Sequence, residues 1–167
     1  GPCTEVKALH HRTITDALGQ MNNPQQAKQV GIGMTAQEYE ESGLRKSPIA
    51  GMYRTIPEHV LTATGYSIES KREYLEPMFF DVPVHTEMLG TIPAGICVGS
   101  RVVAELQTKQ GPTARASIEL RLLKPGEVEH MFWEVDGLPR TRVRVERDDS
   151  AHATASNLFN RIPDVIA

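Results

Sequence analysis

The apolar positions divide the chain into a helical first part and a strand-rich remainder. Over residues 48–67, Ile49, Met52, Ile56, His59/Val60 and Ala63 recur at steps of three and four, which places them on one helical stripe. Pro48 suits the first turn and Gly65 a left-handed cap, so the stretch predicts a helix of about four to five turns. Pro57 inside it predicts a kink, or a break after Ile56. From Ser67 the period changes to two. Ile68, Ser70, Arg72, Tyr74 and Glu76 alternate with Glu69, Lys71, Glu73 and Leu75, a long polar strand ending before Pro77, with a bulged continuation over 78–82. Ile96, Val98, Ser100, Val102, Ala104 and Leu106 make one face of the next strand, and Ala114, Ala116, Ile118, Leu120 and Leu122 that of its hairpin partner. Residues 130–135 and 140–147 give two more. These four runs, separated by turn signals, predict an antiparallel meander whose apolar face the helices must cover.

Before the helix, residues 4–15 alternate, with Val6, Ala8, His10 and Arg12 on one side and Lys7, Leu9, His11 and Thr13 on the other. The strand is polar for a central position, which predicts an edge. Asn23-Pro24 reads as cap and first residue of a short helix. Gly31-Ile32-Gly33-Met34-Thr35-Ala36 has the loose form of a dinucleotide fingerprint, but no hydrophobic strand precedes it and no acidic residue follows about twenty positions on. A turn followed by the capping box Thr35-Ala36-Gln37-Glu38 explains it, with a short helix ending at Gly43. Asp148-Asp149-Ser150 caps a last helix over 151–160, stopped or kinked by Pro163.

Composition narrows the class. At 167 residues with a mean hydropathy of -0.33, the chain is one domain able to bury a core, taken as residues 3–167. The opening Gly1-Pro2 resembles a protease-cleavage scar, and the apolar end Val165-Ile166-Ala167 predicts a domain cut from a longer protein. A net charge of -3 argues against nucleic acid, and the absence of a long apolar run against a membrane span. Cys3 and Cys97 make no disulfide framework, consistent with a cytoplasmic protein.

Candidate chemistry is sparse. The six histidines have no metal-ligand spacing, and His10 and His11, being adjacent, point to opposite faces of a strand. There is no G-x-S-x-G and no phosphate loop, and Cys97 sits in an apolar strand. Near the expected bend, Met52, Tyr53, Arg54 and His59 are candidate pocket-wall residues, with Arg54 either a partner for a substrate carboxylate or a solvated helix charge. Met52 and His59 also read as core and rim of a helix lying on a sheet. The strand face carrying Arg101, Arg115, Arg121, Arg142 and Arg144 with Glu105, Glu119 and Glu146 mixes both signs, as cross-strand pairs or a subunit interface would.

Three stretches together carry a resemblance: Gly31 to Tyr39, Ile49-Ala50-Gly51 through Glu58-His59-Val60 to Thr64-Gly65-Tyr66, and Asp148 to Ile166 with Ile162-Pro163-Asp164-Val165. The chain resembles the carboxy-terminal domain of the dihydrodipicolinate-reductase-like dehydrogenases, in particular 2,4-diaminopentanoate dehydrogenase and the native amine dehydrogenases. The resemblance implies a parent enzyme whose amino-terminal Rossmann domain binds NAD or NADP, which this chain alone would not bind. The domain resembled by this chain supplies the pocket for a small-molecule substrate, and its sheet builds a homo-oligomer. The implied reaction is reversible deamination of an amine or amino acid, or reduction of an imine. The acidic catalytic group lies in the missing domain, so no catalytic residue transfers. Where relatives often carry a histidine and small residues, this chain has Met52-Tyr53-Arg54, which leaves the substrate open.

The expected fold is α+β, an antiparallel or mixed sheet of about five strands with helices on one face. The expected role is substrate binding and oligomerisation within an NAD(P)-dependent dehydrogenase. The alternatives are a stand-alone hotdog-like acyl-thioester hydrolase or dehydratase with His59 or Glu58 as base, and a non-catalytic small-molecule binding domain.

Overall fold

The structure, a computed structural model, describes residues 5–21 and 23–147. In chain order the strands are β1 (Glu5–Asp16), β2 (Ile68–Phe79), β3 (Val84–Thr86), β4 (Gly90–Ile92), β5 (Cys97–Thr108), β6 (Thr113–Arg121), β7 (Glu129–Leu138) and β8 (Thr141–Arg147). Two α-helices, α1 (Ala36–Glu41) and α2 (Ile49–Ala63), precede β2. Six strands form one mixed sheet in the order β2–β5–β6–β1–β7–β8, and β3 pairs with β4 in a small separate ribbon.

Two expectations are corrected by this order. β1 is central, not an edge: it runs parallel to β6 on one side and antiparallel to β7 on the other. The meander is accordingly interrupted, because β1 separates the β5–β6 hairpin from the β7–β8 hairpin. The polar residues of β1 divide between its two faces: His10 and Arg12 are exposed on one, and His11, Thr13 and Thr15 are buried on the other. Arg12 meets the buried Glu119 at 3.0 Å, and the His11 ring lies against Trp133 with centroids 4.3 Å apart. The strand β2 does occupy an edge, where Pro77 continues the pairing opposite Ser100 without a ladder donor being missed by a second neighbour.

Cross-strand register sorts the side chains into two faces. One carries Leu75, Val102, Ala104, Ile118, Leu120, His11, Thr13, Thr15, Met131 and Trp133. Helix α2 lies on this face against β2, β5 and β6, so it covers only the half of the sheet away from β7 and β8. Its buried residues are Ala50, Pro57 and Leu61. The contact stripe is therefore turned about one residue from the one the sequence predicts, and Met52 is 70% exposed. The reason is steric: Ala104 and Ala116 pave the sheet beneath, and the compact Ala50 and Pro57 suit a close approach. The helix continues unbroken through Pro57. The proline has no N–H, so the carbonyl of Tyr53, four residues earlier, loses its helical donor.

The segment between β1 and α2 closes one end of the sheet. Asn23 caps the 3₁₀ helix Pro24–Val30 by accepting from the N–H groups of Gln25 and Gln26. The capping box on α1 forms in full, with Thr35 and Glu38 exchanging side-chain and backbone bonds. Tyr39, fully buried, shares a 2.6 Å hydrogen bond with Ser100, whose hydroxyl donates to the Val30 carbonyl. This chain of bonds pins the segment to β5. The predicted last helix over 151–160 lies outside the described residues.

Gly31 and Gly33 both have positive φ, but they differ in surroundings. A Cβ on Gly31 would stand 2.5 Å from the Tyr39 ring, whereas one on Gly33 meets nothing within 4 Å. Gly31→Ala therefore combines left-handed strain with a clash and is expected to cost roughly 2–4 kcal/mol. Gly33→Ala carries the strain alone, about 1 kcal/mol. Urea midpoints of the two variants check the difference, and equal losses would contradict it.

Candidate functional site

Beside α2, against β1, β6 and β7, lies a cavity of about 350 Å3. The helix contributes Tyr53 and Ile56, β6 contributes Ile118 and Leu120, β1 contributes His11, Thr13 and Thr15, and Met131, Trp133 and Arg147 close the far side. A second space of about 200 Å3, lined by Gln26, Gln29, Val30 and Ile49 among others, adjoins it. Tyr53 and Leu120 line both, so the Tyr53 ring stands between them.

The sequence-chosen pocket residues separate in space. Tyr53 lines the cavity. Met52 and His59 are exposed, since the helix is turned away from the orientation assumed for them. Arg54 bonds Glu58 one helical turn on, at 2.9 Å, and reaches Glu73 on β2, at 2.5 Å. Those two carboxylates raise its pKa further and make it a tether between helix and sheet edge, occupied by the protein's own anions.

Most polar groups of the cavity come instead from β1. Alternation sends residues 11, 13 and 15 to the cavity side, a consequence of strand geometry alone. His11 is 4% exposed; its Nε2 lies 3.3 Å from the Thr13 hydroxyl, and its Nδ1 is buried without a hydrogen-bond partner. Burial first, and the positive charge of Arg147 second, lower its pKa to about 4, so the ring is neutral near pH 7. Arg147 donates from Nη2 to the Thr15 hydroxyl at 3.1 Å, while its Nε is buried and unpartnered. Directly across from Arg147 in the β7–β8 register lies Glu129, whose Oε1 accepts from the Asp16 N–H at 2.6 Å. Burial, and to a lesser degree the Glu129 charge, push the Asp16 carboxyl up. The Tyr53 phenol is also pushed up by burial and stays protonated at neutral pH.

The arrangement offers a neutral imidazole, one guanidinium, a phenol and two hydroxyls against a wall of Ile, Leu, Met and Trp. It can bind and orient a small molecule with one polar end. Among the described residues no group of three or more His, Cys, Asp or Glu side chains could hold a metal ion, and no helix is long and apolar enough to cross a membrane. The Gly31–Gly33 turn does not fit a dinucleotide pyrophosphate. It follows a 3₁₀ helix instead of a strand, leads to the six-residue α1, and keeps Gly31 small to admit Tyr39. The sequence reading missed His11 and Arg147 because nothing local marks them; the alternation of β1 was the available signal, and its edge placement hid what it faced.

His11 gives a direct test of the electrostatics. The unfolded chain takes up its proton near pH 6.5, the folded chain only near 4, so stability is full above about 6.5 and falls as pH drops through that window. The loss attributable to this residue approaches about 3 kcal/mol. His11→Gln should flatten that part of the pH profile, and an imidazole titrating near its ordinary value by NMR would contradict the account.

No protein-family model matches the chain, and no curated protein matches it in sequence. Among solved structures, the fold is similar to that of an amine dehydrogenase from Mycobacterium smegmatis, with a TM-score of 0.81 at 23% sequence identity. The similarity covers 100% of this chain and 49% of that one, so this chain spans about half the length of the protein it is similar to. At that identity the likeness establishes a common fold.

Proposed function

We propose that this chain is the substrate-binding and oligomerisation domain of an NAD(P)-dependent dehydrogenase or reductase acting on an amine, amino acid or imine. The observation that carries the reading is the extent of the likeness: the whole chain matches one half of an amine dehydrogenase. The cavity adds to it, being a largely apolar, partly enclosed space with a few convergent polar groups, the usual form of a small-molecule site. The nicotinamide cofactor belongs, in this reading, to a cofactor domain of the parent protein, since the glycine turn here does not fit it. This chain's part is to hold the substrate and exclude water from one side of it. The acyl-thioester alternative fares less well: His59 is exposed, and Glu58 is bound to Arg54.

The second sheet face supports the oligomerisation half of the proposal. Glu119, 1% exposed, is clasped by Arg12, Arg101 and Arg121. Burial alone would raise its pKa, yet the arginines hold it below the usual carboxylate range. Around this centre Arg115 pairs with Glu105, Arg140 and Arg142 with Glu134, and Arg144 with Glu146. A broad face with both signs interspersed is self-complementary, which suits a two-fold contact between copies.

The test of activity is nicotinamide-dependent turnover. The chain alone should show none, and the chain joined to its natural cofactor domain should interconvert an amine and its carbonyl compound. Thioester hydrolysis by the chain alone, or no turnover by the longer polypeptide, would contradict the proposal. In light scattering the chain should be a dimer or larger, with Arg115→Glu and Arg144→Glu together weakening association by about tenfold or more. A strict monomer would contradict the oligomerisation part.

A further inference from the structure

Two residues lining one cavity, His11 and Arg147, each carry a buried polar atom without a hydrogen-bond partner, Nδ1 and Nε respectively. An unsatisfied buried donor costs about 1–3 kcal/mol, so two at one cavity are a standing cost that a ligand can relieve. Their chemistry specifies the ligand's end. Arg147 can only donate, and its Nη2 bond to Thr15 Oγ1 holds the guanidinium in place. When the Thr13 hydroxyl donates to His11 Nε2, the imidazole proton sits on Nδ1, and that nitrogen becomes a donor too. One charged and one neutral donor at the same cavity match an anionic oxygen pair. Glu129, the nearest acid in the strand register, directs one oxygen to the Asp16 backbone.

The remaining walls specify the ligand's body. Ile56, Ile118, Leu120, Met131 and Trp133 present hydrocarbon and indole surface, with no further formal charge among the residues lining the cavity. A volume of about 350 Å3 lies at the small end of ligand sites.

We propose that the cavity recognises a carboxylate on a compact apolar body, with Arg147 and His11 Nδ1 binding the carboxylate and the Trp133–Met131–Ile118 wall packing the hydrocarbon. The substrate class within the dehydrogenase reading, on which that extension rests, is then an apolar amino acid or its oxo acid, in place of a simple amine. Arg147 thus takes the role that sequence reasoning considered for Arg54, which is occupied by Glu58 and Glu73.

Binding tests this without turnover. Trp133, the single tryptophan, lines the cavity and reports occupancy by fluorescence, with calorimetry as the second readout. The probes are hexanoate, hexanamide, hexylamine and inorganic phosphate, titrated into the 167-residue chain. Hexanoate should bind at least about tenfold more tightly than each of the others. Arg147→Gln should remove that preference in a chain that is still folded by circular dichroism, and Arg147→Lys should restore part of it. If the Gln variant does not fold, Thr15→Val, which removes the hydroxyl orienting the guanidinium, should weaken hexanoate in the same direction. Equal binding of acid and amide, phosphate binding as well as hexanoate, no binding of any probe, or undiminished hexanoate binding by the Arg147 variants each overturns the proposal. The two readings fail separately. Turnover of simple amines as fast as amino acids, insensitive to Arg147→Gln, sinks the carboxylate site and leaves the dehydrogenase reading standing. Carboxylate binding without any nucleotide-dependent turnover in the longer polypeptide does the reverse.

Discussion

The pairing of β1 between β6 and β7 is the contact on which the remaining architecture depends. Without it the β5–β6 and β7–β8 hairpins share no hydrogen bonds and would form two small sheets. With it, residues from the start of the chain stand beside residues more than a hundred positions later: His11 opposite Ala116 and Trp133, and Thr13 opposite Ile118 and Met131. Such pairing is non-local and unfavourable to close, so it must be repaid along its whole length. Both edges of β1 are used, and both of its faces carry specific side-chain contacts, Arg12 to Glu119 on one and His11 to Trp133 on the other.

The cavity follows from a mismatch of widths. Among the described residues a sheet of six strands carries one long helix on its apolar face, and that helix packs against three of them. It is held there at one side by Arg54, bridging to Glu73, and along its length by Ala50, Pro57 and Leu61. Its other flank, with Tyr53 and Ile56, faces the cavity lined by β1, β6 and β7. Polar residues on β1 at that point would be costly under a packed helix. Beside a cavity they have room to meet polar groups of a bound molecule, and the neutral state of His11 is kept by the same burial.

Local features of the fold were legible in the sequence to the extent that their physics is local. The Asn23 cap, the Thr35–Glu38 capping box, the helix between Pro48 and Gly65, and the face assignments of β5 and β6 all rest on neighbours a few residues away. The place of β1 was not legible. Its polarity suggests solvent exposure on both faces, whereas Arg12 pairs with the buried Glu119 and the His11 ring is buried against Trp133, neighbours that no local pattern announces. The helix stripe was read one residue out, because Met52 and Val60 are apolar yet exposed while Pro57 is buried. That single rotation leaves Met52 and His59 of the four expected pocket residues exposed and Tyr53 at the cavity. Arg147 reaches the cavity only through the pairing of β8 with β7, which no local pattern shows.

The account's central claim is that the working surface of this chain is the cavity between α2 and the β1–β7 half of the sheet. Amide shift mapping of the isotopically labelled chain during titration with hexanoate tests it most directly. The account predicts changes concentrated at Thr13, Thr15, Tyr53, Met131, Trp133 and Arg147. Changes concentrated at Met52, Arg54 and His59, on the other side of the same helix, would contradict it.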